Sequence, residues 1–547
     1  MNNQKISFLG YIWMGFTFVA GITFTASFNV VVMMQSTADK DTGGIGLNII
    51  WLFVVEFFVV SGAIYAYIKN IKMLPKYNGG AFQIVRTSLG RFWGFYTAIL
   101  NYILFPLIVV VYLTSMFKNN FTDLVVNFQG DSQFIGSWTD LFWDLIAYFI
   151  YLGIVAFFYL GFNKYKQIVK YAIYAVWILT AVIISFAIIR IIEVGSMNLN
   201  NYTSSIKTVS YKAFSQVFTS MFFAFSGLES FIIIGNRIKN HIKSLPVGSI
   251  IIMFSTMVFY IIFTILLLTT SSVNADRNPN NNMFGDGNTF LRTSGIIIVV
   301  ITTFLLRFVS ILQITFINSF ITQPISMQGY INEKFSYTNK KGIATKAIWL
   351  NTIITTVAII LFLILPDIIE GITKQKIGLE YLQLSQMVSF FILQMHIVVI
   401  TGTFIQTFKG RLKLSFWEFS WIMISYLIII YAWINYIINQ IDNLMFIKWT
   451  NIDANWVREK LSSLMLFIGW GLLIIFVVTI YYAYYMKKIK KLSTSEIGLT
   501  QLKLLNEPFR FYTKYELDKH IKEEQKEDEL DDIKKIKKVF QKKLKNN

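Results

Sequence analysis

Apolar runs of about 20 residues recur along almost the whole chain, each long enough for a helix to cross the hydrocarbon core of a bilayer. No other feature constrains the fold as strongly. A bilayer supplies no partners for backbone amides, so a chain with many such runs must cross it as helices, each closing its own hydrogen bonds. Twelve runs can be drawn: about 8–34, 47–68, 81–117, 141–161, 168–194, one around Met221–Phe231, then about 246–270, 293–322, 348–365, 383–408, 414–438 and 461–486. The first lacks a small-residue cleavage site and is too long for a signal-peptide core, so it reads as a retained helix. With 55% hydrophobic and only 14% charged residues, the 547-residue chain is unlike a soluble domain. The expected architecture is an all-α polytopic membrane protein with one transmembrane domain, residues 1–486, and a charged tail, 487–547.

The formal net charge of +19 would suit a nucleic-acid binder, but the basic residues lie between the apolar runs and in the tail. Connectors after the even-numbered helices hold about 18 Lys and Arg, the others about 10. Cytoplasmic loops carry the excess of positive charge, so the even connectors and both termini are expected inside the cell. The partners implied are a lipid bilayer and a small solute, with no nucleic acid. The chain has no cysteine and three scattered histidines, which excludes disulfides and thiolate metal sites. No phosphate-binding glycine loop, nucleophile elbow or zinc spacing occurs. Neither an enzyme nor an ATP-driven pump is expected, and no cofactor or metal.

Helix six is interrupted. Its segment Met221-Phe-Phe-Ala-Phe-Ser-Gly-Leu-Glu-Ser-Phe231 gathers small residues (Ala224, Ser226, Gly227) beside Glu229. An ionisable side chain at membrane depth costs about 3 kcal/mol or more unless it faces protein or water. Helix one carries a similar cluster, Ala20-Gly-Ile-Thr-Phe-Thr-Ala-Ser27. With five helices per half, the two interruptions correspond, and with the termini inside they cross in opposite directions. Paired interruptions of this kind point to a midplane site in a secondary transporter. Close helix packing on small residues is the alternative explanation. Other ionisable groups within the spans are Glu56 in helix two, a candidate for a proton path or a paired carboxylate, and Arg307 in helix eight. Arg307 could face the cavity and select acidic substrates, or pair with Glu56 or another acid. His396 in helix ten is expected to hydrogen-bond between helices.

Several stretches resemble the amino acid–polyamine–organocation superfamily of permeases. Leu74-Pro-Lys-Tyr-Asn-Gly-Gly-Ala-Phe82 is similar to its Pro-x-x-Gly-Gly-x-Tyr loop, and Gly90-Arg-Phe-Trp-Gly-Phe95 to the start of its helix three. Phe225-Ser-Gly-Leu-Glu-Ser230 resembles its helix-six motif, and Lys239-Asn-His-Ile-Lys-Ser-Leu-Pro246 its proline-ended entry to helix seven. Gln323-Pro-Ile-Ser-Met-Gln-Gly-Tyr330, Asn339-Lys-Lys-Gly342 and Phe24-Thr-Ala-Ser-Phe28 resemble the bacterial glutamate/GABA antiporter group.

The resemblance covers helices one to ten. It implies a LeuT-like five-plus-five inverted repeat with broken helices one and six, and two further helices. It implies an amino acid substrate carried by alternating access, with a proton or a counter-substrate as coupling partner. By position, Thr23, Thr25, Ala26 and Ser27 would meet the substrate carboxylate. Phe223, Ala224, Phe225 and Ser226 would meet its amine, with Phe223 also serving as a lid and Gly227 permitting the irregular backbone. Glu229 would bond freed amides or take part in gating or proton traffic, for which Glu56 and Arg307 are further candidates. The chain departs from the pattern in lacking the Gly-Ser-Gly triplet of helix one, the acid late in helix two and the lysine of helix five. A polyamine or organic-cation carrier of the same fold, a channel and a non-transporting sensor remain as alternatives.

Overall fold

The computed structural model describes residues 5–21, 48–73, 80–121, 135–194, 217–270, 289–374, 379–445 and 454–494, with short stretches inside these ranges left out. Thr23, Thr25, Ala26 and Ser27 and the tail beyond Thr494 lie outside the described residues. The described chain is helical apart from its turns and one isolated β-bridge between Ile6 and Ile238. Among the described residues, ten helices are long and apolar enough to cross a membrane. Two shorter apolar helices, Phe8–Ala20 and Val217–Ile233, stand where helices one and six are expected.

The others follow in order: helix two Ile49–Met73, a short helix Ala81–Ser88, three Arg91–Thr114, four Thr139–Ala156, five Phe162–Val194, seven His241–Thr270 and eight Thr289–Met327. Helix nine begins at Thr345–Ile359, ten is Tyr381–Phe408, eleven Phe416–Met445, and twelve begins at Ala454–Thr479. Helices three and ten are enclosed by protein on nearly every side, while five, eleven and twelve turn most of their surface outward. On those outer faces Ile178, Trp417 and Leu472 are exposed, as lipid contact requires.

Bonds between helix ends set the crossing directions. The Lys239 amide donates to the Ile6 carbonyl (2.9 Å), so helix one starts at the end where helix six finishes. The two therefore run in opposite directions. The Tyr330 hydroxyl reaches the Arg91 carbonyl (3.0 Å) and Lys488 Nζ the Gly329 carbonyl (3.5 Å), which puts the start of helix three with the ends of eight and twelve. Lys69 pairs with Glu418 at 2.6 Å, joining the end of helix two to the start of eleven. The architecture is a five-plus-five inverted repeat with two added helices.

Three prolines expected at helix boundaries, Pro246, Pro324 and Pro366, lie inside helices instead, with helix eight running through Pro324 to Met327. Helix seven starts at His241, not Pro246, because the Asn240 carbonyl already accepts the Ser244 amide (2.8 Å) and Ser244 Oγ donates to the Lys239 carbonyl (2.8 Å). Helix nine does not stop at Pro366. It widens into a π-turn at Ile360–Ile364 and continues as Leu365–Thr373, a local adjustment by which a transmembrane helix absorbs a missing N–H. Helix twelve likewise passes Met486, through a π-turn at Ile480–Tyr485, and ends at Leu492.

Candidate functional site

The helix-six interruption is a real break. A single turn of 3₁₀ helix, Phe222–Phe225, gives way to extended backbone at Ser226 (φ −80°, ψ 161°), and an α-helix resumes at Leu228–Ile233. Between them Gly227 has φ +114°, a conformation that a side chain strongly disfavours. A Cβ at this position would also run into the Phe18 ring of helix one. Glycine is required twice over here.

The break satisfies its own backbone. Ser226 Oγ donates to the Phe222 carbonyl (2.9 Å), and the Ser226 amide to that of Phe223 (3.1 Å). Both carboxylate oxygens of Glu229 accept from the Gly227 amide at 2.9 Å. Glu229 thus caps the new helix from its first turn, where a carboxylate also meets the positive end of the dipole. Helix seven contributes the remaining tie: the Tyr260 hydroxyl lies 2.7 Å from the Val19 carbonyl and 2.6 Å from the Ala224 carbonyl. One phenol therefore bridges the last turn of the described part of helix one and the break in helix six. A hydroxyl has a single proton, so its donation is divided between two acceptors.

Aromatic rings pack the surroundings. The Phe225 ring lies edge-on to Tyr260 and Phe53, and the Phe223 ring lies 6.3 Å from that of Tyr112 in helix three. Above Tyr112 stands the Arg307 guanidinium, 4.9 Å from the ring centroid. Arg307 is fully buried, and its Nε donates to Ser115 Oγ at 3.1 Å. Among the described residues neither of its Nη atoms has a hydrogen-bond partner. Tyr260 and Tyr381 lie within electrostatic reach of it, but among the described residues no carboxylate pairs with it. The pairing of Arg307 with Glu56 expected from sequence is therefore absent. Glu56 is also fully buried, and among the described residues neither of its carboxylate oxygens has a hydrogen-bond partner.

His396 differs from expectation too. Its ring nitrogens make no hydrogen bond, and the imidazole is held edge-on by Tyr67 (5.7 Å) and Phe222 (5.9 Å). The Gly-Gly loop reaches the same region from below: Gly80, at φ +50°, packs where a Cβ would meet Ile233 at 2.9 Å. The structure thus gathers Phe223, Ala224, Phe225, Ser226, Gly227, Glu229 and Arg307 about one break, each buried. Tyr112 and Tyr260 escaped the sequence reading, because a tyrosine inside an apolar run looks like packing until its partners are known.

A family model described as amino acid permease matches residues 6–457. The chain belongs to that family. With it goes membership of the amino acid–polyamine–organocation superfamily, whose resemblance was carried by the Gly-Gly loop and the helix-six motif. No curated protein matches the chain by sequence. Among solved structures, two mutants of the manganese transporter of Eremococcus coleocola are similar, at 13% and 12% identity, each with a TM-score of 0.52. Each match covers 86% of this chain and 94% of the other. Identity that low speaks for the fold alone. This permease is therefore a multi-pass membrane transporter with the broken-helix architecture.

Proposed function

We propose that this permease is a secondary amino acid transporter of the cell membrane, working by alternating access, with acidic amino acids as its preferred substrates. The observation that carries the reading is the Arg307 guanidinium, buried beside the helix-six break with two nitrogens unpaired. A buried cation without an anion is costly, and a planar fork of donors fits a carboxylate. The α-carboxylate would be held by Thr23, Thr25, Ala26 and Ser27, and the amine by the backbone of Phe223–Ser226, whose carbonyls keep a second lone pair. Arg307 is then left for a side-chain carboxylate. Phe223 serves as lid, Glu229 supports the break, and Glu56 is the candidate for carrying a coupling proton. Exchange against a counter-substrate fits the same site. Both termini and the charged tail 487–547 lie in the cytoplasm, following the basic connectors.

A polyamine carrier is disfavoured by the same residue, since a cationic substrate would meet an uncompensated cation. Purified protein in liposomes tests the proposal. Labelled glutamate or aspartate should enter saturably and be suppressed by the unlabelled compound, while neutral amino acids compete weakly. Arg307→Gln should raise KM for the acidic substrate at least tenfold, the loss of a charge-assisted bond of roughly 1.5–3 kcal/mol. Equal KM in that variant would assign Arg307 to packing. Linear, non-saturating flux would mean a channel, and no flux a sensor.

A further inference from the structure

Helices three, nine, ten and twelve leave a groove of about 950 Å³ between them. Its walls are apolar almost throughout, with Ile103 and Pro106 of helix three, Ile354 and Phe362 of nine, Phe391 of ten and Phe476 of twelve among them. One side is open, and there Val357, Leu472 and Ile475 are exposed. The groove runs from Leu350 to Phe362 along helix nine and from Ile480 back to Met465 along twelve, about 18 and 22 Å at the rise of an α-helix. At Gly469 the wall lacks a side chain, and a Cβ there would meet nothing within 4 Å.

Positive charge marks one end of this groove. Lys346 is exposed and lies one turn before Leu350 on the same face of helix nine. Lys488 follows Ile480 by about two turns, and its Nζ reaches the Gly329 carbonyl (3.5 Å), two residues before Ile331 of the groove wall. Trp349 and Tyr484, each about one turn from one of these lysines, are exposed. Such rings sit at the level of lipid headgroups, so the groove opens there and runs inward. The hydrocarbon core is about 30 Å thick, so the groove spans one leaflet and stops short of the far side. A membrane-crossing helix could not lie in it along its whole length, whereas the tails of a lipid could. We propose that the groove binds one anionic phospholipid, its acyl chains against helices three, nine, ten and twelve and its phosphate at Lys346 and Lys488. Basic pockets between transmembrane helices on the cytoplasmic side hold such headgroups, and the orientation proposed above puts this mouth on that side. The site is independent of the transported substrate.

Full-length protein, delipidated in a mild detergent and titrated with lipid, tests the proposal by native mass spectrometry. Phosphatidylglycerol should bind one to one, roughly tenfold or more tighter than phosphatidylcholine with the same chains. Lys346→Gln and Lys488→Gln should each remove about fivefold of that preference, the contribution of one basic residue at a lipid surface. Gly469→Phe puts a ring into the groove without a clash and should abolish binding of both lipids. Gly471→Phe, equally open but on the other face of helix twelve, should leave binding unchanged. Lys346→Gln, at an exposed position, decides the matter if Gly469→Phe does not fold. Equal affinity for the two lipids, or phosphatidylglycerol binding that Lys346→Gln and Gly469→Phe leave unchanged, overturns the proposal. So does a lipid-free pair of chains that Gly469→Phe separates, since the groove would then hold a second copy.

Discussion

The helix-six break and a clasp of Lys118 with Asp140 and Asp367, where the ends of helices three, four and nine meet, both bury charge in the membrane domain, and they hold it differently. At the break a guanidinium has no carboxylate among the described residues, and the polar groups around it are backbone amides, carbonyls and phenols. At the clasp the Lys118 ammonium lies 2.9 Å from Asp140 and 3.2 Å from Asp367, with Asp144 buried beside them. The supports differ as well. The break stands on irregular backbone that a neighbouring tyrosine stitches to helix one, whereas the clasp stands on regular helical turns. Irregular backbone can re-pair its hydrogen bonds when the two halves of a helix move. Rigid turns cannot. On the function proposed above, the difference gives motion and cargo to the first region and cohesion to the second.

The largest effect should come from the clasp. Lys118→Met removes the ammonium held between Asp140 and Asp367, and breaking a buried pair from one side costs about 3–5 kcal/mol. The variant's Tm should drop by many degrees. The surviving protein should keep its KM for the transported amino acid. A changed KM would mean that the two regions are coupled, and the comparison would fail. Gly227→Ala comes next. It forces an L side chain to φ +114° and into the Phe18 ring, for about 2–5 kcal/mol of strain and overpacking. Unlike the lysine variant, it should lose uptake out of proportion to any loss of folded protein, measured as initial rate per monodisperse molecule.

The fold was legible because apolar runs and basic connectors are dictated by the bilayer and not by any particular partner. The interruption at Ala224–Gly227 was legible for the same reason, since small residues and a glutamate are out of place in hydrocarbon. The prolines were misread because their effect depends on the turn before them: the π-turn at Ile360–Ile364 cannot be seen in the letters. The clasp was invisible. Asp140 and Asp367 are far apart in the chain, each close to the end of an apolar run, where an acid attracts no notice. Arg307 was seen but expected to pair with Glu56 or another acid, because which helices face one another cannot be read from the letters.

The smallest predicted effect probes the stitch itself. Tyr260→Phe keeps the ring against Phe53 and Phe225 and deletes only the hydroxyl that serves the Val19 and Ala224 carbonyls. Losing one shared donor leaves a buried carbonyl short of a partner, about 1–3 kcal/mol. A drop of a few degrees in Tm would follow from that loss whatever the residue's role. Transport separates the readings. If the hydroxyl holds helices one and six in one state of a moving pair, its removal shifts the balance between states, so the maximal rate should change while KM changes little. The hydroxyl is confined to packing if rate and KM both stay at their wild-type values, and the break would then need no tie to helix seven in order to work.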